Sequence, residues 1–213
     1  MQLHTVSAPA GRAGVSRFGA HSFVPRPLAR PVPALSACSI LLAPGLDEAL
    51  AQDWQHRLPQ FHTVWQSERQ APDLDAWAQG IIRAASRMPR PVVVVAQGFA
   101  CLATVRAAAL RPGVIAGALL TATADPVRFG LQQSLSDLSL DFPSVLISNE
   151  GDRELPPERA WQWALHWNSQ FASRGQSGRG SSARPGDAGW QRRQELELLE
   201  QLCRRVAAPA EAA

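Results

Sequence analysis

The side chains that could do chemistry in this sequence fall at a few places. Asp47 and Glu48 follow the first apolar run, and Asp152 follows a later one. Two or three carboxylates gathered at strand ends can move protons or hold a divalent cation, although loop acids are more commonly just solvated. Cys101 lies three residues beyond Gly98 in an Ala-rich run. On a helix its thiol would be buried packing rather than a nucleophile. His56 and His62 carry no partner pattern that marks a base or a ligand, and read as packing or surface residues. Ser177, Ser181 and Ser182 sit in a Gly/Ser-rich segment without a base nearby in sequence, and read as solvated hydroxyls. The turn-like stretch Ala96-Gln97-Gly98-Phe99-Ala100 offers no hydroxyl at all.

These residues matter only if the chain brings them together. Ser39–Ala43 reads as a short strand ending at Pro44-Gly45, Asp53–Leu58 as a helical turn and His62–Trp65 as a second strand. Asp73 opens a helix whose apolar face is Leu74, Trp77, Ile81 and Ala85. Pro91–Val95, with four consecutive valines, suits a strand buried on both faces. Ala100–Leu110 is its following helix, stopped by Pro112-Gly113, and Val114–Leu120 is another strand. Asp125–Asp141 is less regular, with room for a short helix. Val145–Ile147 is a strand leading into Asn149-Glu150-Gly151-Asp152, Pro157–His166 a helix, and Gln170–Ala172 a short last strand. Residues 174–189 are too rich in Gly and Ser for regular structure, and Gln191–Val206 is the final helix. Trp161, Trp163 and Trp167 read as one partly buried helix face, and Trp54, Trp65 and Trp77 as core. This alternation predicts an α/β fold, a mostly parallel sheet with helices on both faces. Sites in such sheets form at the carboxyl ends of strands, here the loops after residues 43, 96, 149 and 173.

Length and composition narrow the class. A chain of 213 residues with 46% hydrophobic content suits one domain with a sizeable core, here 38–206, flanked by disordered tails at 1–37 and 207–213. No run approaches the ~18 apolar residues of a membrane span. Three widely spaced cysteines without a C-x-x-C pair argue against a disulfide framework or a zinc site, and fit a reducing, cytoplasmic setting. The pI near 9.3 suggests nucleic acid, but the charge map opposes it. All 21 basic residues are arginine, four lie before residue 37, and the first acid is Asp47. The remainder is nearly balanced, without the basic stripe of a nucleic-acid surface. No G-x-G-x-x-G or Walker pattern follows any strand, so no nucleotide cofactor is expected and an unrelated doubly wound nucleotide binder is disfavoured.

From about Ser39 to Leu202 the chain resembles the small serine hydrolases of the retinoblastoma-binding protein nine type, within the α/β-hydrolase superfamily. The pieces that carry the resemblance are Ala43-Pro44-Gly45-Leu46, Asp53-Trp54-Gln55, Cys101-Leu102-Ala103-Thr104-Val105 after the Val-rich strand, Thr123-Ala124-Asp125-Pro126, Ser148-Asn149-Glu150-Gly151-Asp152, and Trp161 to Trp167. The resemblance implies a single α/β-hydrolase domain, and a catalytic serine on a strand-to-helix elbow that usually reads Ala-His-Ser-x-Gly. In register, Gly98 takes the serine position, Asp152 the triad acid and Gln176 the histidine position. The Gly-rich insertion leaves that last register open by several residues, yet no histidine occurs anywhere after His166. The oxyanion donors implied are the backbone amides of Phe99 and of Leu46 or Asp47. A triad works as a unit, so loss of nucleophile and base implies an inactive or severely impaired hydrolase. Such a site would bind a small acyl or carboxylate ligand, or a protein partner, without turning it over. The competing reading is a weakly active esterase with an unorthodox nucleophile. Asp152 also has a purely structural reading, as the cap of the turn before Pro156-Pro157.

Overall fold

Four consecutive valines can all be buried only if both faces of their strand are covered, and Val92 to Val95 are all buried. The computed structural model describes residues 34–45, 62–63, 72–89, 91–149, 152, 154–174 and 185–208. In chain order they form a 3₁₀ turn (Leu35–Ala37), β1 (Ser39–Ala43), β2 (His62–Thr63), α1 (Leu74–Ala85), β3 (Val92–Gly98), α2 (Phe99–Leu110) and β4 (Gly117–Thr123). There follow a second 3₁₀ turn (Pro126–Phe129), α3 (Gln132–Ser136), β5 (Ser144–Asn149), α4 (Pro157–His166), β6 (Gln170–Arg174) and α5 (Pro185–Ala207). The strands make one sheet in the order β2-β1-β3-β4-β5-β6, and all five pairings are parallel. This is the expected α/β architecture.

Alternate residues of the strands feed two apolar layers. Val92, Val94 and Ala96 face a layer with Trp77 and Ile81 of α1, the buried residues of α2, and Ala160 and Trp163 of α4. Ile40, Leu42, Val93, Val95, Leu119, Val145 and Ile147 face the other, closed by Leu35 and by Leu199, Leu202 and Cys203 of α5. Helices therefore cover both faces, and β3 runs through the middle of the sheet. Helix α1 begins where its cap predicts, with the Asp73 carboxylate accepting from the Ala76 amide at 2.8 Å.

Several boundaries differ from the sequence reading. β4 starts at Gly117 rather than Val114 and runs on to Thr123. The Pro112-Gly113 turn keeps residues 114–116 out of the ladder, although Ile115 is buried and the Ala116 amide already bonds the Val92 carbonyl. Helix α5 starts at Pro185, inside the segment expected to be irregular. Proline suits a first helical turn because its missing N–H has no partner there in any helix. Leu35, placed in the tail by composition, is buried in the second layer. Trp161 and Trp163 of α4 and Trp167 at its C-cap do not share a face: Trp163 and Trp167 are buried, and Trp161 is 50% exposed. Positions 161 and 163 are two residues apart, about 200° around a helix. Trp77 is core as expected, while Trp54 and Trp65 lie outside the described residues.

Candidate active site

The carboxyl end of β3 passes directly into α2, and Gly98 is the apex of that turn. Its backbone sits at φ +57°, ψ −127°, a combination closed to most L side chains and open to glycine. The neighbouring strand adapts to it. Gln97 lies opposite Thr121 and Gly98 opposite Thr123, so Ala122 bulges out with φ +42°. The Ala124 amide then bonds the Gly98 carbonyl at 3.1 Å, which pins the turn to the end of β4. From the other side comes Gly45, after β1. A Cβ built there would lie 3.0 Å from the Gln97 carbonyl oxygen, so this approach needs glycine. At Gly98, by contrast, a Cβ would meet only the Gly45 Cα, at 3.6 Å, among the described residues. Among the described residues there is room for a side chain at the apex, and none is present.

Phe99, the first residue of α2, is buried. Its ring meets Trp77 edge-on at 5.4 Å and Phe129 at 5.0 Å. Phe129 is 39% exposed and Val127 44%, so the 3₁₀ turn after β4 presents an apolar surface beside the β3–α2 turn. Cys101 is fully buried, and that burial pushes its thiol up to about 12. It stays protonated at neutral pH and donates to the Thr121 carbonyl oxygen of β4 at 3.5 Å. Asp152 follows β5, and its Oδ1 accepts from the amides of Glu154 (2.8 Å) and Leu155 (3.2 Å). The structural role read from the sequence, capping the turn toward Pro156-Pro157, is therefore present. Gly98, Phe99 and Gly45 are brought together; the observed bonds of Asp152 are to its own turn. Leu46, Asp47, Glu48, His56, Gln176, Ser177, Ser181 and Ser182 lie outside the described residues, and His62 is placed in β2.

The sequence reading assigned no role to a second feature of this end of the sheet. Asp125, directly after β4, is 2% exposed and caps the following 3₁₀ turn by accepting from the Val127 amide at 3.0 Å. Arg159 of α4 grips it with both terminal nitrogens, Nη2 to Oδ1 and Nη1 to Oδ2, each at 2.8 Å. The fork matches the carboxylate and satisfies it where water cannot. Nearer the surface Arg128 pairs with Glu154 at 2.8 Å. The loops after β4 and β5 are thus tied to each other and to α4. Asp-Pro is a readable cap signal; nothing in sequence marks Arg159 as its partner. A separate open groove of about 580 Å³ lies at the opposite end of the sheet, lined by Ser86, Met88, Pro91, Arg111 and Val114 among others.

Comparison with known proteins places this geometry in context. A family model described as serine hydrolase matches residues 40–198. Among solved structures, a YdeN-like hydrolase from Pectobacterium atrosepticum is 27% identical, with a TM-score of 0.70 over 83% of this chain and 95% of its own. A thermophilic esterase is 13% identical, with a TM-score of 0.58 over 79% of this chain and 90% of its own. The mouse α/β hydrolase domain-containing protein 10 is 14% identical, with a TM-score of 0.55 over 76% of this chain and 90% of its own. The last two likenesses show the fold alone. No curated protein matches. The family match spans well over half of the sequence and runs from β1 into α5, so the chain belongs to the serine hydrolase family.

Proposed function

We propose that this chain keeps the framework of the small serine hydrolases of the retinoblastoma-binding protein nine type without their chemistry. It is a catalytically inactive or severely impaired member that binds a small acyl or carboxylate ligand, or a protein partner, at the carboxyl ends of its strands. One observation carries the reading: the residue at the apex of the β3–α2 turn is glycine, in a backbone conformation, closed to most L side chains, of the kind that a strand-to-helix elbow imposes. A glycine has no atom with which to attack a carbonyl. With Gln176 in the histidine position, no histidine follows His166 either. Asp152 retains the place of the triad acid but has nothing to orient, and its carboxylate serves the backbone of its own turn. Cys101 offers no substitute, since a buried thiol held near 12 has almost no thiolate at neutral pH. Backbone amides at Phe99 and at Leu46 or Asp47 would still greet a carbonyl or carboxylate oxygen, and Phe129 and Val127 an apolar chain beside it.

A serine-directed fluorophosphonate probe tests this directly. Incubated with the purified full chain beside an active esterase as control, it is expected to label the esterase only. Stoichiometric labelling traced by mass spectrometry to one serine overturns the reading.

A further inference from the structure

We propose that Cys38 and Cys203 are a redox pair that closes into a reversible disulfide, stapling α5 to the start of β1. Three cysteines look unpaired in sequence, but the fold sorts them. Cys101 belongs to the apolar layer on one side of the sheet, and Cys38 and Cys203 belong to the layer on the other. Cys38 ends the Leu35–Ala37 turn in an extended conformation (φ −120°, ψ 158°), which directs the chain into β1. Cys203 lies on the inner face of α5, fully buried among Leu199, Leu202 and Leu35. The Cys38 thiol donates to the Cys203 carbonyl oxygen at 3.7 Å, across 165 residues of sequence. Both are reduced in this structure. A thiol seated against the backbone of the other cysteine holds both residues in one buried neighbourhood, and a disulfide between them requires a Cβ–Cβ separation of about 3.8 Å.

The co-reactant is a low-molecular-weight disulfide. One cysteine, as thiolate, attacks the sulfur–sulfur bond of that molecule and expels one small thiol, leaving a mixed disulfide on the protein. The second cysteine, deprotonated, attacks the protein sulfur of the mixed disulfide and expels the second small thiol. Two protein S–H bonds are lost and one S–S bond forms; the oxidant takes up two electrons and two protons. Burial, and then the neighbouring Cys38, push the Cys203 thiol up to about 12. In the closed state the exchange is therefore slow, and it proceeds when the end of α5 opens locally.

The test uses the full chain, incubated at low protein concentration and mildly alkaline pH with oxidised glutathione, then mapped by non-reducing peptide mass spectrometry. The expected product is a single Cys38–Cys203 linked peptide, with the intact mass reduced by two hydrogens. Closing so long a loop is expected to raise Tm by about 5–10 °C, reversed by dithiothreitol. Cys101→Ala keeps the link and Cys203→Ala abolishes it; because either variant could fold poorly, the peptide map of the unmodified protein decides. Persistent glutathione adducts on Cys38 or Cys203 without the linked peptide overturn the proposal. So does linkage to Cys101 or between molecules. Failure to oxidise even in urea just below the unfolding transition, where α5 opens, overturns it as well. The proposal stands independently of whether the strand-end site is catalytic.

Discussion

At the scale of single residues, Gly98 separates two costs that usually travel together. Space for a side chain exists there, because the nearest described atom to a Cβ is the Gly45 Cα at ordinary contact distance, 3.6 Å. The backbone, at φ +57°, is what a side chain would resist. Gly98→Ser is therefore expected to lower stability by about 1 kcal/mol, the cost of holding a non-glycine residue in a sparsely allowed region. Urea unfolding checks it through the midpoint at constant m-value. An unchanged or raised midpoint means that the turn does not hold residue 98 in this conformation. The same residue gives the physical sense of the family likeness. A side chain at the apex would carry that strain, whereas glycine adopts the same backbone without a Cβ to resist it.

At the scale of elements, the Asp125–Arg159 pair joins β4 to α4. Arg159→Met keeps much of the length and apolar stem while removing the charge, which leaves a carboxylate that is 2% exposed without its partner. Losing one member of a fully buried pair costs ~3–5 kcal/mol, but the Arg159 side chain is 41% exposed, so the expected loss is about 2 kcal/mol. A double-mutant cycle with Asp125→Ala measures it; a coupling near zero shows that the pair contributes nothing. How much of this was legible follows from how local each signal is. The Asp73 cap, the valine run and the Ala-rich helix after it are written in adjacent residues; α1 and α2 fall where those signals put them, and β3 holds the valine run but continues three residues past Val95, to Gly98. The start of β4 is set by its partners, since Gly117 pairs with Val93 and not with anything nearby in sequence. The start of α5 was hidden because Gly186 and Gly189 outweigh, on composition alone, a proline that suits a helix start. The Arg159 fork joins residues 34 apart, a separation at which neither periodicity nor turn chemistry carries information. Within the candidate site, the turn and its missing hydroxyl were readable. Leu46, Asp47 and Gln176 lie outside the described residues.

At the scale of the whole molecule, the proposed loss of chemistry implies that restoring it needs residues from three separate loops at once, those after β3, β5 and β6. Gly98→Ser alone supplies a hydroxyl without a base, and Gln176→His a base without a nucleophile. The double variant is expected to hydrolyse p-nitrophenyl acetate feebly but faster than either single variant, with the gain lost on adding Asp152→Ala, because triad members act non-additively. Circular dichroism confirms that each variant is folded, which matters because Asp152 also caps its turn. Should histidine at 176, and then at Ser177 and Gly178, all fail in folded protein, the triad alignment is wrong. Hydrolysis by the unmodified protein at the rate of the double variant refutes the loss of chemistry outright. The second apolar layer carries a further consequence, for synthesis on the ribosome. The buried strand residues of its sheet side have all been made by Ile147, with Ala172 of β6 still to pack against them, but its cover includes Leu199, Leu202 and Cys203. At about 5–20 residues per second, roughly 3–10 s pass between the two. Through that interval the cover of a broad aliphatic sheet face has not yet been made, and that apolar surface is open to contacts other than its native ones.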